Sequence, residues 1–229
     1  MTQPLRIPVA LSARHVHLRR EHVEALFGKG HELTPLKDLS QPGQFACRET
    51  VEVVGPKGSL RQVRVLGPER PDSQAELSVT DGFVLGINLP VRLSGHIDGT
   101  PGGYLIGPKG AVELSQGFIV AARHIHMHPA DAEMAGVENE QRVCARVVGP
   151  RSLLFDEVIV RVSPRFRTEM HLDLDEGNAA GVRDGDLVEV LPSVCGLCDR
   201  LSCPMRREVS ETGVRPYCEF VGEGQVTIR

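Results

Sequence analysis

The sequence contains no tryptophan, and aromatic residues make up only 4% of it. Valine, leucine and isoleucine must therefore supply most of the interior, and the 41% apolar content is enough to build one. No apolar run approaches the ~18 residues that a membrane helix needs, so no membrane span is expected. No block of one charge sign occurs, and the formal net charge is only -4. The broad basic footprint of a nucleic-acid-binding protein is therefore missing, although a cationic ligand groove can still sit in a balanced sequence. The opening stretch, MTQPLRIPVALSARH, lacks a signal-peptide cleavage pattern. A soluble cytoplasmic protein is expected.

What the chain does have is punctuation. Gly 24 and Pro 16 suit many short strands joined by tight turns. Glu49 to Pro68 reads as strand, Gly-Pro-Lys-Gly turn, strand, with Val51, Val53, Val63 and Val65 alternating with polar residues. Gln141 to Pro164 repeats that plan. Helices look short: LRREHVEALFG stops at Gly28, and HPADAEMAG carries Pro129 in its first turn and ends at Gly136.

The two halves align with each other. Each opens with Ala-Arg-His-x-His, at Ala13 and again at Ala122, followed by a short helix and a hairpin. The segments RPDSQAELSVTDG and RFRTEMHLDLDEG then align without a gap, so that Arg70 falls on Arg165, Glu76 on His171 and Gly82 on Gly177. The expected architecture is mainly β: two related β-barrels from an internal duplication, capped by short α-helices. Their boundaries are roughly residues 6–96 and 103–192, with strand exchange between the halves left open. A Cys-rich extension, residues 193–229, follows.

On a strand, side chains at i and i+2 share a face. His15 and His17 therefore project together, as do His124 and His126, and two imidazoles on one face can grip a divalent metal. A catalytic zinc typically takes three protein ligands. The duplication supplies the third: Glu76 in the first half and His171 in the second. Both sets suit zinc, with other transition metals open. The bland alternative is that the repeat preserves packing and the histidines merely hydrogen-bond within it. His128 is read as a helix cap, and His22 and His31 as surface residues. DLDEG, at Asp173 to Gly177, is read as a turn. Arg70, six residues before Glu76, is a natural phosphate clamp because a guanidinium can hold two oxygens at once. Arg14 and Arg123 should face away from the histidines. The Gly-Pro-Lys-Gly turns at Gly55 and Gly107 could offer amides to an anionic cofactor, but ordinary hairpin turns are the simpler reading.

Cys47 and Cys144 read as buried apolar residues. The tail spaces Cys195, Cys198, Cys203 and Cys218 as Cys-x2-Cys-x4-Cys-x14-Cys. A structural zinc leads there, with free or redox-active thiols, or an iron–sulfur cluster, as alternatives.

SARHVHL, LKDLSQPGQFA, RPDSQAELS, RHIHM and EMHLDLDEGNA together closely resemble the PduL-type phosphate acyltransferases, the phosphate propanoyltransferase family, over about residues 7 to 191. The resemblance implies two β-barrels, two zinc ions, and acyl transfer between coenzyme A and phosphate. It places the first metal on His15, His17 and Glu76, the second on His124, His126 and His171, and the phosphate on Arg70. The expected reaction is acyl-CoA plus phosphate giving acyl phosphate plus CoA, with acetyl and propanoyl groups both open and no acyl-enzyme required. The first metal would hold the CoA sulfur as a thiolate while a zinc polarises the thioester carbonyl. Ser12, Phe83 and Ser94 are candidate pocket residues. Acyl-CoA, CoA and phosphate are the expected partners, and homo-oligomerisation is left open. Family members packaged in bacterial microcompartments often carry an extra N-terminal segment. The first motif here begins by residue 12, so shell association is not favoured. A cupin-like metalloenzyme, with Glu21 as ligand in a His-x-His-x3-Glu spacing, is the rival enzyme reading. A non-catalytic metal-binding or metal-sensing protein is the rival outside enzymes.

Overall fold

A computed structural model describes residues 4–191 and two strands at 218–221 and 225–228. Residues 1–192 form one compact unit and residues 193–229 another. In the second unit, β16 (Cys218–Val221) and β17 (Gln225–Ile228) pair antiparallel. Cys195, Cys198, Cys203 and the side chain of Cys218 lie outside the described residues.

The first unit is mainly β. Its first strands are β1 (Leu5–Ser12), β2 (His15–His17), β3 (Pro35–Asp38), β4 (Phe45–Val54), β5 (Ser59–Gly67), β6 (Gln74–Leu77) and β7 (Val91–Arg92). Then come β8 (Gly103–Ile106), β9 (Ala111–Leu114), β10 (Phe118–Ala121), β11 (His124–Met127), β12 (Arg142–Val147), β13 (Leu153–Val162), β14 (Glu169–Asp173) and β15 (Leu187–Leu191). The helices are α1 (Arg20–Phe27), α2 (Val79–Leu85), α3 (Pro129–Ala135) and α4 (Leu174–Ala180). None of the described helices is long and apolar enough to cross a membrane.

One sheet closes into a barrel in the order β1-β14-β11-β13-β12-β15. The other is an open half-barrel of nine strands, ordered β7-β10-β6-β2-β5-β4-β8-β9 with β3 on β4. Only one barrel is therefore complete. The strand that would close the other, β7, is two residues long and directly follows Pro90. Proline has no N–H to give to a ladder, and β7 reaches only β10.

The strands do not sort at residues 96–103. β1 lies in the barrel of the second half, parallel to β14 and antiparallel to β15. β10 lies in the sheet of the first half, parallel to β6. Each of these strands directly precedes a His-x-His strand, so both halves exchange the same element. β8 and β9 extend the first sheet through β4.

Alternation fixes which side faces the core. Ile125 and Met127 on β11 are fully buried in the barrel core with Val9, Val158, Val160 and Met170. Val16 on β2 is fully buried in the other core with Leu18, Val51, Val53, Leu105 and Phe118. Each such side chain contributes about 1.5–3 kcal/mol on leaving water. The histidines between them must point the opposite way.

Helix ends repeat with the duplication. α2 starts at Ser78 with a capping box closed by Asp81, and α4 starts at Asp173 with one closed by Glu176. DLDEG is thus the first turn of α4 and not a free turn: the Asp-x-x-Glu spacing satisfies the helix's orphan N–H groups. α3 begins after His128, whose Nδ1 accepts from Ala130 N–H, and has Pro129 in its first turn. The Gly-Pro-Lys-Gly turns pack on helix ends. Lys57 N–H donates to Leu85 O and Lys109 N–H to Leu26 O, both at 3.0 Å. Those amides are occupied by α2 and α1 and are not free for an anion.

Candidate active site

Register brings each candidate third ligand opposite its histidines. On the antiparallel pair β2–β6, His15 faces Glu76. On β11–β14, His124 faces His171. The exchanged strands flank the same positions, Ala10 beside His171 and Ile119 beside Glu76. This exchange sets both triads on the wall of one cavity of about 420 Å³.

In the first triad, His15 Nε2 and His17 Nε2 each stand 3.5 Å from a Glu76 carboxylate oxygen. His15 Nδ1 is 2.9 Å from the Ala13 carbonyl, which can only accept, so Nδ1 carries a proton and Nε2 is the ring nitrogen left to face Glu76. In the second triad the three rings sit with centroids 4.7–4.9 Å apart. His124 Nδ1 makes the same 2.9 Å bond, to Ala122 O.

Burial controls the charge of these groups. It lowers His17 to about 4, with the neighbouring charge of His15 adding to it. Burial and the charge of His171 lower His124 to about 4, and burial with His124 and His171 lowers His126 to about 2. Burial alone would lower His15, but Glu76 outweighs it and His15 is raised. Burial alone would raise Glu76, but the two histidines hold it well below the ordinary carboxylate range.

The donors suit a cation. His17 Nδ1, His126 Nδ1 and His171 Nε2 are buried without hydrogen-bond partners, each costing about 1–3 kcal/mol if left so. His171 Nε2 lies 3.0 Å from Glu169 Oε1, but without hydrogen-bonding alignment. The candidate donor atoms of each triad lie within 4.8 Å of one another. Neutral imidazoles offer lone pairs without a proton to displace. The residues present therefore fit one divalent metal per triad.

Arg70 borders the same cavity, its Nη1 donating to Ser94 Oγ at 2.9 Å and lying 4.0 Å from Glu76 Oε1. Ser94 Oγ donates to Glu76 at 2.6 Å, so one hydroxyl links Arg70 to the first triad. Ser12 also lines the cavity, 3.4 Å from His15 Nδ1. Phe83 does not join them. It sits on α2 with 79% of its surface exposed, outside the cavity lining. Glu21, the ligand required by the cupin-like reading, lies on α1 beside Arg19 at 3.5 Å, while Glu76 occupies the place near the histidines.

Several residues of the site escaped the reading of the sequence. Gln74 is buried at 2% exposure, and its Nε2 donates to Glu76 at 2.6 Å and to Ser94 at 2.8 Å. Its counterpart in the duplication, Glu169, accepts from Ser40 Oγ at 2.5 Å and Gln41 Nε2 at 2.6 Å. Burial opposes its ionisation, but His171, Ser40 and Gln41 hold it at about 2. The gap-free alignment of residues 70–82 with 165–177 already pairs these two positions two residues before each third ligand. Arg161 and Phe166 carried no such signal. Phe166 packs on His126 with centroids 4.1 Å apart.

Two imidazole-rich triads and a guanidinium facing one cavity define the class: an enzyme site with two candidate metal centres beside a cationic side chain that can accept an anion. Comparison with known proteins makes this specific. Residues 8–183 match the phosphate propanoyltransferase family. A phosphate propanoyltransferase of Enterococcus faecalis is 56% identical over 177 residues, covering 77% of this chain and 84% of its own. One of Thermotoga maritima is 54% identical over 186 residues, 81% of this chain and 89% of its own. One of Rhodobacter capsulatus is 49% identical over 189 residues, 82% and 88%. The chain belongs to the phosphate propanoyltransferase family, whose members are phosphate acyltransferases.

Proposed function

We propose that this protein is a zinc-dependent phosphate acyltransferase that interconverts a short-chain acyl-CoA, propanoyl or acetyl, plus phosphate with the acyl phosphate plus CoA. The observation that carries the reading is the shared cavity: two donor sets built for cations and the Arg70 clamp open onto the same space. His15, His17 and Glu76 would hold one zinc, and His124, His126 and His171 the other. When bound, these ions supply Lewis acidity toward the thioester carbonyl and positive charge toward a departing thiolate.

The chain's own residues do the rest. Arg70 binds phosphate, and Ser94 fixes its guanidinium relative to Glu76. A phosphate oxygen forms a bond to the acyl carbon, the carbon–sulfur bond breaks, and its electron pair leaves with CoA as thiolate. Direct transfer is favoured over an acyl-serine. Ser12 Oγ is the hydroxyl near an imidazole, but His15 Nδ1 already carries the proton it gives to Ala13 O and cannot accept another. Neither Cys47 nor Cys144 lines the cavity.

The test is phosphate-dependent release of CoA thiol from propanoyl-CoA and acetyl-CoA by purified, zinc-loaded protein, with elemental analysis alongside. Release with about two zincs bound by residues 1–192 is expected, and the two rates rank the acyl groups. A loaded protein that releases no thiol from either substrate refutes the reading.

A further inference from the structure

Four arginines border the central cavity: Arg14, Arg64, Arg70 and Arg161. Three have work within the fold. Arg14 pairs with Asp81 at 2.9 Å. Arg64 donates to the carbonyls of Cys47 and Arg48 at 3.0 and 2.9 Å. Arg70 donates to Ser94. Among the described residues, the Arg161 guanidinium makes no hydrogen bond and no ion pair, and it lies over the Phe166 ring, 5.9 Å from the centroid. It sits on β13 as the register partner of His126, so it enters the cavity beside the second triad.

The duplication shows that this charge is not part of the common plan. Arg64 on β5 faces His15 and Ile159 on β13 faces His124, so position 161 corresponds to position 66. Position 66 is Leu66, which lines the same cavity. One copy thus places an apolar side chain where the other places a cation. Conversely, Arg165, the duplication counterpart of Arg70, is exposed and does not line the cavity. The second half thus contributes a single guanidinium, Arg161, to the cavity wall, from a position that is not the counterpart of Arg70.

Two guanidiniums facing one enclosed space repel each other unless an anion lies between them. We propose that Arg161 is the second arm of the oxyanion clamp, gripping the transferred phosphate together with Arg70. This rests on the acyltransferase reading above. Phosphate has enough oxygens to meet both forks and still present one to the acyl carbon. The Phe166 ring steadies the guanidinium from its side without using its N–H groups. Burial, and after it the Arg161 charge, pull the Arg70 guanidinium down while Glu76 supports it, as expected for two cations awaiting a shared anion.

The test uses zinc-loaded, full-length protein and the variants Arg161→Leu, which restores the Leu66 pattern, and Arg161→Lys. Michaelis constants are measured for phosphate and for acyl-CoA separately, and phosphate binding is measured by calorimetry without acyl-CoA. The Leu variant should raise the phosphate KM roughly 10- to 100-fold, the scale of a lost charge-assisted contact, and leave the acyl-CoA KM within about twofold. The Lys variant should lie between, because it keeps the charge and loses the fork. An unchanged phosphate KM in a folded variant, or equal rises in both constants, overturns the proposal. If the unaltered protein releases no thiol at all, the acyltransferase reading fails. The calorimetry then decides for Arg161 alone: weaker phosphate binding by the Leu variant supports the clamp, and equal binding overturns it.

Discussion

Arg123 Nη1 donates to Glu176 Oε1 across 2.8 Å, joining the residue before His124 to the acid that closes the capping box of α4. Arg14 and Asp81 make the matching pair at 2.9 Å in the first half. The arginine of the repeated Ala-Arg-His-x-His motif therefore pairs with a capping acid and pins its strand to the start of the helix that follows Glu76 or His171. Both partners of the Arg123–Glu176 pair are partly exposed. Arg123→Leu should lower stability by about 1 kcal/mol, read as a shift in the urea midpoint. Unchanged stability together with unchanged metal content would make the pair incidental.

Removing a triad member should remove one metal, not two. His124→Ala is expected to bind about one zinc fewer per chain, and His15→Ala to do the same at the other centre, each with activity reduced on the order of 100-fold or more. Elemental analysis and the thiol assay check this. A His15→Ala protein with full activity and one metal fewer would sink the role given to the first triad. Stripping the metals should also lower the melting temperature, since an ion that binds only the folded state stabilises it.

Glu49 offers a pH test away from the cavity. Burial opposes its charge, but its own backbone N–H, His31 at 2.8 Å and the Thr34 N–H hold its pKa below the ordinary value of 4.5. A depressed carboxylate stabilises the fold above its unfolded pKa, and that contribution is lost as pH falls through the folded value. Glu49→Gln should cost about 1–3 kcal/mol at pH 7. The gap to the unaltered protein should narrow below pH 4.5. A gap that stays constant down to pH 3 contradicts the assignment.

Cys47 is fully buried on β4, and burial with the nearby Glu49 charge pushes its thiol up to about 12. The reactive species is the thiolate. Iodoacetamide at pH 8 should leave Cys47 unmodified in the native protein and label it in urea, as peptide mass spectrometry would show.

Gly82 and Gly177 occupy matching places in α2 and α4 but different surroundings. A Cβ at Gly82 would meet the Ile87 carbonyl oxygen at 2.8 Å, whereas one at Gly177 would meet the Leu11 Cδ2 methyl at 2.5 Å. A backbone atom cannot step aside, while a leucine tip can change rotamer. Gly82→Ala should therefore cost about 1–3 kcal/mol, and Gly177→Ala less. Equal losses in thermal unfolding would show that the Leu11 tip has no room to move.

Much of the site was legible because its logic is local or repeated. His15 with His17, and His124 with His126, follow from a two-residue period. Glu76 and His171 follow from aligning the halves, and the observed registers His15–Glu76 and His124–His171 place them as that alignment required. Gln74 and Glu169 were within reach of the same alignment. Arg161 was not: on a strand read only as apolar alternation it looks like one more solvated arginine. Phe83 shows the reverse case: named as a candidate pocket residue, it lies exposed on α2, outside the cavity lining.

The sequence by itself determined the strand period, the duplication, the candidate donor residues and their grouping in threes, because these depend on neighbours a few residues apart or on comparing one half with the other. Only the tertiary structure decided that β1 and β10 cross to the opposite sheet, that one barrel closes while the other stays open at β7, and that both triads, Arg70 and Arg161 face one cavity. Every strand edge presents the same N–H and C=O groups, so backbone hydrogen bonding does not choose between partners. The choice rests on which exchange buries Val9 and Met170 in one core and Phe118 and Val16 in the other, and that is a property of the packed whole.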